Sequence, residues 1–181
     1  SRLHLQTGNR AEAIRSAQIA VSIENSARTY AALSRAFLAD GEREKAASAA
    51  KEARRANPYS ARAHLALARV SLKREEFQKA LQHCGKALEM DPYLVEGMIL
   101  EGKVHLRMEE PDKAAAVWKE ALQLDRWNES LHWRLAELLR TQLERPGPAA
   151  AHYRRVAEPG GPKKDKAARL AEKLGEASGS D

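Results

Sequence analysis

The same break interrupts this chain three times at one spacing. The segments RANPYSARA, EMDPYLVEG and QLDRWNESL, which are residues 55–63, 89–97 and 123–131, start 34 residues apart. The runs between them are rich in alanine, leucine, arginine, lysine and glutamate, with apolar and small residues at helical spacing. Because proline lacks the amide hydrogen and disfavours helix in the residue before it, Pro58 and Pro92 each predict a helix end. The sequence therefore predicts a repeat of two helices, with a chain reversal at every break.

Three full repeats align in register, over residues 27–60, 61–94 and 95–128. Their eighth position is always small and their twentieth is always alanine; the residues are Ser34, Ala68 and Gly102, then Ala46, Ala80 and Ala114. Small residues at both places predict that the two helix backbones of each repeat approach closely. The third break has Arg126 in place of proline, and we expect Asp125 and Asn128 to supply its turn and capping chemistry.

Composition supports an all-α fold. Charged residues make up 31% of the 181 residues and aromatic residues 5%, and there is neither a long alternating Val/Ile/Thr run nor an Asn-Gly hairpin turn. The single cysteine, Cys84, excludes an intrachain disulfide and a thiolate metal cluster. No apolar run approaches the ~18 residues that a membrane span needs. We predict no span.

The motifs within the repeats resemble the tetratricopeptide repeat. YAALSRAF followed by Ala46, Ala53 and Pro58 matches the family motif, and EFQKALQHCGKALEMDP matches its second helix. The resemblance implies an α-α superhelix, which is a right-handed solenoid of stacked helix hairpins with a concave groove. It also implies a role in binding protein segments, with no catalysis.

The resemblance extends toward both ends of the chain. We predict an array over residues 1–158, with a partial repeat at 1–26, a divergent repeat at 129–158, a capping helix at 163–176 and a disordered tail at 177–181. In the partial repeat, Arg2–Thr7 is expected to end a first helix before a second helix over Asn9–Glu24. Since the chain has no initiator methionine, we expect it to be part of a longer protein. Its alanine and arginine content indicates, weakly, a bacterial source, with a cytoplasmic or periplasmic location in that case.

In this family, fixed positions of each first helix line the groove, and here the charged residues at those positions are mostly basic. The predicted partner-binding cations are Arg28, Arg35, Arg62, Arg69, Lys73, Lys103 and Arg107, and Arg2 and Arg134 belong to the same set. Glu96 and Glu137 are the two acidic members. The thirty-third position of each repeat, just after the break, is aromatic, giving Tyr59, Tyr93 and Trp127 as predicted apolar contacts. Arginine matches carboxylates and phosphates, so a protein or peptide segment, and an acidic one in particular, fits this surface.

Two other interpretations of these residues stay open. The basic residues could only keep an exposed face soluble, and the aromatic residues could pack beneath the next helix. The family's carboxylate clamp for chaperone tails is absent, because its asparagine positions hold Ala32, Ala66 and Leu100 and the ninth position is never asparagine.

The sequence carries no pattern for catalysis or for a cofactor. The six histidines are His4, His64, His83, His105, His132 and His152. Of these, His4, His64, His105 and His132 are interpreted as packing or edge residues, and the adjacent pair of His83 and Cys84 makes a poor metal site because the two side chains diverge on a helix. Cys84 falls in a core position. There is no phosphate-binding glycine loop and no nucleophile motif, so we predict no enzyme activity, no cofactor and no metal.

The predicted function is therefore a non-catalytic protein-interaction scaffold. The net charge of +6 keeps a second class open, a nucleic-acid-binding helical repeat protein, although the later repeats bring acidic residues into the groove. A third alternative is a regulatory module of an enzyme or of an envelope, secretion or pilus-assembly system. The sequence leaves the oligomeric state open.

Overall fold

The structure, a computed structural model, describes residues 2–158 and 163–178, with side chains for residues 9–158 and 163–175. These residues form ten helices and no strand. The helices are α1 (Arg2–Ile23), α2 (Ala27–Asp40), α3 (Arg43–Ala56), α4 (Ala61–Lys73), α5 (Phe77–Met90), α6 (Val95–Arg107), α7 (Pro111–Leu124), α8 (Glu129–Thr141), α9 (Pro146–Ala157) and α10 (Lys164–Ser178). The prediction of an all-α chain is confirmed.

The chain divides into two compact units, an N-terminal unit that ends at Leu100 and a C-terminal unit that begins at Glu101. In the N-terminal unit, α2 packs on α3 and α4 packs on α5, and α2 also contacts α4. In the C-terminal unit, α8 packs on both α7 and α9, and α9 packs on α10. The helices α2, α4 and α6 begin at the first residues of the three predicted repeats.

The breaks between repeats are closed by short polar side chains. At the first two breaks, the residue before the proline accepts a hydrogen bond from the backbone N–H two residues later. Asn57 Oδ1 accepts from Tyr59 at 2.9 Å, and Asp91 Oδ1 accepts from Tyr93 at 3.2 Å. These turns hold the two tyrosines at the start of each reversal.

The third break lacks proline and is held by the two residues predicted to do so. The Asn128 side-chain amide donates to Asp125 Oδ2 at 2.9 Å, and its carbonyl oxygen accepts from the Leu131 backbone N–H at 2.9 Å. Asn128 thus fixes the turn and caps α8 at once.

Small residues let the two helices approach closely in the first and third repeats. The Ser34 hydroxyl, which is fully buried, donates to the Ala46 carbonyl at 2.8 Å, so the eighth and twentieth positions of that repeat touch. In the third repeat, a Cβ added to Gly102 would lie 2.6 Å from Trp118 Cδ1 and would overlap the adjacent Nε1. The glycine therefore makes the room in which Trp118 is buried, at 2% exposure.

The first helix differs from the prediction. A helix end was expected over Arg2–Thr7, but α1 is one helix from Arg2 to Ile23, and the expected turn is wrong. Gly8 is a weak breaker, because one glycine costs a helix only about 1 kcal/mol relative to alanine and no proline accompanies it. The side chains of Arg2 and His4 lie outside the described residues.

The last helix runs further than the predicted capping segment. It ends at Ser178, two residues into the predicted tail, and residues 179–181 lie outside the described part of the chain. None of the described helices has the length and apolar character needed to cross a membrane.

Candidate functional site

Four of the predicted cations converge on one cleft in the N-terminal unit, which we call the arginine cleft. Arg28 and Arg35 lie two turns apart on α2, and Arg62 and Arg69 lie two turns apart on α4. Because the two helices pack side by side in the same repeat phase, these positions fall on one surface. The cleft has a volume of about 270 Å³, and its remaining lining residues are Ala31, Ala32, Leu65 and Glu96.

A carboxylate from the next repeat enters this cleft. Glu96, in the first turn of α6, forms a close ion pair with Arg69 Nη2, and its Oε1 lies 3.9 Å from Arg35 Nη1. The Arg69 side chain is 23% exposed, whereas those of Arg35 and Glu96 are 64% and 49% exposed. Four arginines and one carboxylate leave the cleft with a net charge of +3.

Three other predicted contact residues of the N-terminal unit lie outside the arginine cleft. Lys73, the last residue of α4, is exposed and is not part of the lining. Tyr59 and Tyr93 are 82% and 76% exposed at the breaks. Their rings are thus not packed in the core, although the structure does not join them to the cleft.

The remaining predicted residues belong to the C-terminal unit. Lys103 and Arg107 lie on α6, the first partly buried and the second exposed. Trp127 is 68% exposed, and the Arg155 guanidinium carbon lies 5.8 Å from its ring centroid, within the range of a cation–π contact.

A second cleft, of about 280 Å³, lies in the C-terminal unit around Trp133 of α8. Its lining combines aromatic and polar side chains; the residues are Leu106, Trp118, Trp133, Arg134, Glu137, Leu138, Thr141 and Gln142. The ammonium groups of Lys163 and Lys166 lie 4.6 and 5.2 Å from the Trp133 ring centroid. Lysines from the C-terminal end of the chain thus already contact this aromatic surface.

The carboxylate of this second cleft is satisfied within the protein. Glu137 accepts a hydrogen bond from the Tyr153 hydroxyl at 2.7 Å and one from Arg140 at 2.8 Å. Burial alone would raise the pKa of Glu137, but these two hydrogen bonds lower it overall. Burial and the bond to Glu137 raise the pKa of Tyr153 to about 12, so its hydroxyl stays a donor.

Two histidine pairs connect the helices of a hairpin, one in each unit. His64 Nδ1 lies 3.3 Å from His83 Nδ1, and His132 Nδ1 lies 2.8 Å from His152 Nδ1. In each pair, Nε2 of the first histidine faces a backbone carbonyl, that of Pro58 at 3.2 Å or of Arg126 at 3.0 Å.

These contacts determine which ring nitrogen of each histidine carries the proton. A carbonyl only accepts, so Nε2 of His64 and of His132 carries the proton, and the bare Nδ1 accepts from the partner histidine. Burial, followed by the neighbouring histidine, lowers the pKa of His83 and of His152 to about 4. Burial also lowers the pKa of His64.

Sequence reasoning placed His64 and His132 among packing residues, and both are buried, at 5% and 9% exposure. It missed their partners. The signal was present, because the partners follow by 19 and 20 residues, which is the distance between facing positions of the two helices of a hairpin.

The remaining polar groups among the described residues form separate small clusters. His105 Nδ1 pairs with Glu110 Oε2 at 2.7 Å beside Glu101, whose pKa is raised by burial. Cys84 is fully buried in the α4–α5 core and forms no disulfide within the described part of the chain. Within the described side chains, no group of three or more histidine, cysteine, aspartate or glutamate residues is placed to hold a metal ion.

The sequence model of the tetratricopeptide repeat matches residues 31–94 and 99–164, which is more than half of the chain. The chain belongs to the tetratricopeptide repeat family. Such proteins are typically non-catalytic scaffolds, and this fold supports a general role in protein interaction. None of the curated protein sequences matches this tetratricopeptide repeat protein.

Several solved structures share the fold. The Pseudomonas aeruginosa pilF protein is 24% identical, with 97% of this chain and 80% of that chain covered and a TM-score of 0.74. TTC0263, a thermophilic tetratricopeptide repeat protein of Thermus thermophilus, is 25% identical, with 96% of each chain covered and a TM-score of 0.72. YrrB, described as a tetratricopeptide repeat protein with an unusual peptide-binding site, is 18% identical, with 92% of this chain and 86% of that chain covered and a TM-score of 0.64.

Proposed function

We propose that this tetratricopeptide repeat protein is a non-catalytic scaffold that binds an acidic segment of a partner protein in the arginine cleft. The observation that carries the proposal is the convergence of four guanidinium groups, from equivalent positions of α2 and α4, on one cleft. The family supports the choice of a protein or peptide as the partner.

The chemistry of the cleft favours a carboxylate-rich ligand. Arg28 and Arg62 are exposed, and no carboxylate of the described residues pairs with either of them. Guanidinium groups bind carboxylates through paired, charge-assisted hydrogen bonds, which are stronger than neutral ones. Ala31 and Ala32, which are partly exposed, give the cleft apolar surface on which the aliphatic part of a glutamate side chain can rest.

The direct test is the affinity for a fluorescein-labelled hexaglutamate peptide, measured by fluorescence anisotropy at low and at high salt. We expect the wild type to bind at low salt and to lose affinity as salt is raised, because exposed charges are screened. The variant Arg28→Gln/Arg62→Gln removes two cations but leaves the Arg69–Glu96 pair intact, and it should bind about 10-fold or more weakly.

The matched control is Arg10→Gln/Arg43→Gln, which removes the same charge from exposed positions on α1 and α3 outside the cleft. It should bind like the wild type. Equal losses in the two double variants would show that net charge alone attracts the peptide, and the cleft would be rejected as its site.

The second candidate function, nucleic-acid binding, is favoured by the same arginines, because guanidinium also matches phosphate. A labelled single-stranded RNA of random sequence in the same assay separates the two. Tighter binding of RNA than of hexaglutamate, with a steeper salt dependence, would favour the nucleic-acid function.

The other predicted contacts extend the proposed surface. The exposed rings of Tyr59 and Tyr93 can pack against apolar side chains of a partner segment, and Lys73 can add a further cation. For Lys103, Arg107 and Trp127, we retain the prediction that they contact the partner from the C-terminal unit.

A further inference from the structure

The arginine cleft contains a carboxylate of the protein itself. That carboxylate comes from a repeat position at which the two preceding repeats have arginine. Glu96 occupies the second position of α6, where α2 and α4 carry Arg28 and Arg62. An acidic residue in a first turn is favoured by the helix dipole. Its side chain reaches back into the cleft, pairing with Arg69 and approaching Arg35 to 3.9 Å. One carboxylate is thus shared by arginines from two other helices.

We propose that Glu96 is an internal competitor, whose carboxylate occupies the position that a carboxylate of the acidic segment takes at Arg35 and Arg69. Ligand binding then displaces Glu96 from these arginines. This inference rests on the proposed function of the cleft, which it deepens by assigning one residue that sets the affinity.

The exposure of the three side chains makes the exchange physically reasonable. Glu96 is about half exposed and Arg35 more so, so the carboxylate can swing into water by side-chain rotation alone. Exposed ion pairs contribute little to stability, so the loss of this pair is tolerated. Arg69, at 23% exposure, is the member that most needs a partner, because a partly buried cation without one is unfavourable. Glu96 satisfies it while the cleft is empty.

The exchange also predicts how the four arginines share the affinity. At Arg69 a ligand carboxylate replaces the Glu96 carboxylate, so this contact adds little to the affinity for the ligand. Among the described residues, Arg28 and Arg62 have no paired carboxylate to release, so contacts there add to the affinity in full. In the wild type, therefore, the loss of Arg69 should weaken binding less than its partial burial implies.

The alternative role for Glu96, in which it helps the ligand to bind, makes an equally definite prediction. If Glu96 instead held Arg69 in the orientation that the ligand needs, removing its charge would weaken binding. The two roles differ in the sign of one measurement.

The experiment compares the wild type with Glu96→Gln in the hexaglutamate anisotropy assay. We expect Glu96→Gln to bind about 3- to 10-fold more tightly, since a close repulsive charge is removed and two arginines are released. Glu12→Gln on α1 makes the same charge change at an exposed position outside the cleft, and its affinity should equal that of the wild type.

A double-mutant cycle with Arg69→Gln tests the displacement itself. Arg69→Gln should weaken binding only about 2-fold in the wild type, but it should remove most of the gain when combined with Glu96→Gln. If the gain persists without Arg69, the effect of Glu96 is a general charge effect, and the displacement is rejected. Glu96→Asp, which keeps the charge but shortens the side chain, should also bind more tightly than the wild type, though less so than Glu96→Gln.

The failure of this inference can be told from failure of the proposed function. Hexaglutamate that does not bind the wild type, or that binds regardless of Arg28→Gln/Arg62→Gln, rejects the function. Binding that depends on Arg28 and Arg62 but is weakened or unchanged by Glu96→Gln rejects only the internal competitor. Circular dichroism and thermal melting of each variant show whether it is folded before affinities are compared.

Discussion

The two units of this protein use the same helical positions in different ways. In the N-terminal unit, α2 and α4 present four arginines to one cleft, and Glu96 is the one carboxylate among the described residues that line it. In the C-terminal unit, the corresponding face of α8 carries Glu137, bonded to Tyr153 and Arg140, and Trp133, contacted by two lysines. The lining of the first cleft has a net charge of +3 for a ligand to neutralise, whereas the carboxylate of the second cleft is already hydrogen-bonded within its own unit.

This difference shows that the repeat pattern determines where a side chain is placed. It does not determine whether that side chain is free of partners within the protein and so able to bind a ligand. Arg35 and Glu137 share the ninth position of their repeats. Arg35 has one distant partner and is 64% exposed, while Glu137 accepts two short hydrogen bonds. A binding surface within a solenoid is therefore found by asking which of the equivalent side chains lack a partner.

The largest expected effect comes from matched charge reversals in the two units. Arg35→Glu/Arg69→Glu places two carboxylates beside Glu96 and should weaken hexaglutamate binding about 100-fold, because attraction becomes repulsion. Lys103→Glu/Arg107→Glu makes the same charge change in the C-terminal unit and should weaken binding by about 3-fold or less. Fluorescence anisotropy at low salt measures both.

Similar losses of hexaglutamate affinity in the two double variants would contradict the difference drawn between the two units. Residues of both units would then contribute to the affinity, as the basic positions in the sequence predict. Thermal melting must show that Arg35→Glu/Arg69→Glu stays folded, because it also removes the ion pairs with Glu96.

Periodicity predicted the features that depend on backbone placement. The breaks at Pro58 and Pro92 end helices, the small eighth position meets the twentieth through Ser34 and Ala46, and residues seven apart share one helical face. Each follows from the 3.6-residue turn and from the lack of an amide hydrogen in proline.

Features that depend on side-chain rotamers between helices could not be predicted in this way. The sequence identified Glu96 only as an acidic member of the groove positions, because its reach to Arg69 depends on how α4 and α6 pack. The pairing of His64 with His83 depends likewise on the contact between α4 and α5. The helix end expected near Thr7 failed for another reason, since a single glycine does not outweigh the helix on either side.

The second prediction concerns packing in the C-terminal unit. Gly102→Ala places a methyl group 2.6 Å from Trp118 Cδ1 and closer still to Nε1, so the buried indole has to move. We expect the free energy of unfolding to fall by about 1–3 kcal/mol, the usual cost of overpacking. Urea unfolding followed by circular dichroism measures it.

Since the clash lies outside the N-terminal unit, hexaglutamate affinity under native conditions should be unchanged. A reduced affinity would mean that the arginine cleft depends on the packing of the C-terminal unit.

The third prediction is a loss of stability in mild acid that both units share. The folded-state pKa values of His83 and His152 are lowered to about 4 from about 6.5 in the unfolded chain. The unfolded state therefore binds more protons below pH ~6.5, and stability is lost as the pH falls from there toward ~4. Each histidine can reduce the free energy of unfolding by at most about 1.4 kcal/mol per pH unit, and partial exposure makes the effect smaller.

The measurement for this prediction is the urea midpoint between pH 7 and pH 5, a range in which most carboxylates stay ionised. His83→Gln and His152→Gln replace each donor by an amide that can still reach the partner histidine. Each variant should flatten the pH dependence, and the double variant should flatten it most. The charged neighbours that favour the neutral form are Lys86 and Arg54 at the first pair and Lys119 at the second. An unchanged pH dependence in the double variant would assign the acid sensitivity to other groups.

The smallest expected effect is a stabilisation in the N-terminal unit. Gly85 lies within α5, and a Cβ added there would have no neighbouring atom within 4 Å, in contrast to Gly102. Gly85→Ala should raise the free energy of unfolding by about 0.5–1 kcal/mol, because alanine loses less backbone entropy than glycine when it enters a helix. The same substitution thus acts with opposite signs at the two glycines, and the sign is set by whether an aromatic ring occupies the space beside the backbone. A lower free energy of unfolding for Gly85→Ala in urea would contradict the open space beside this glycine.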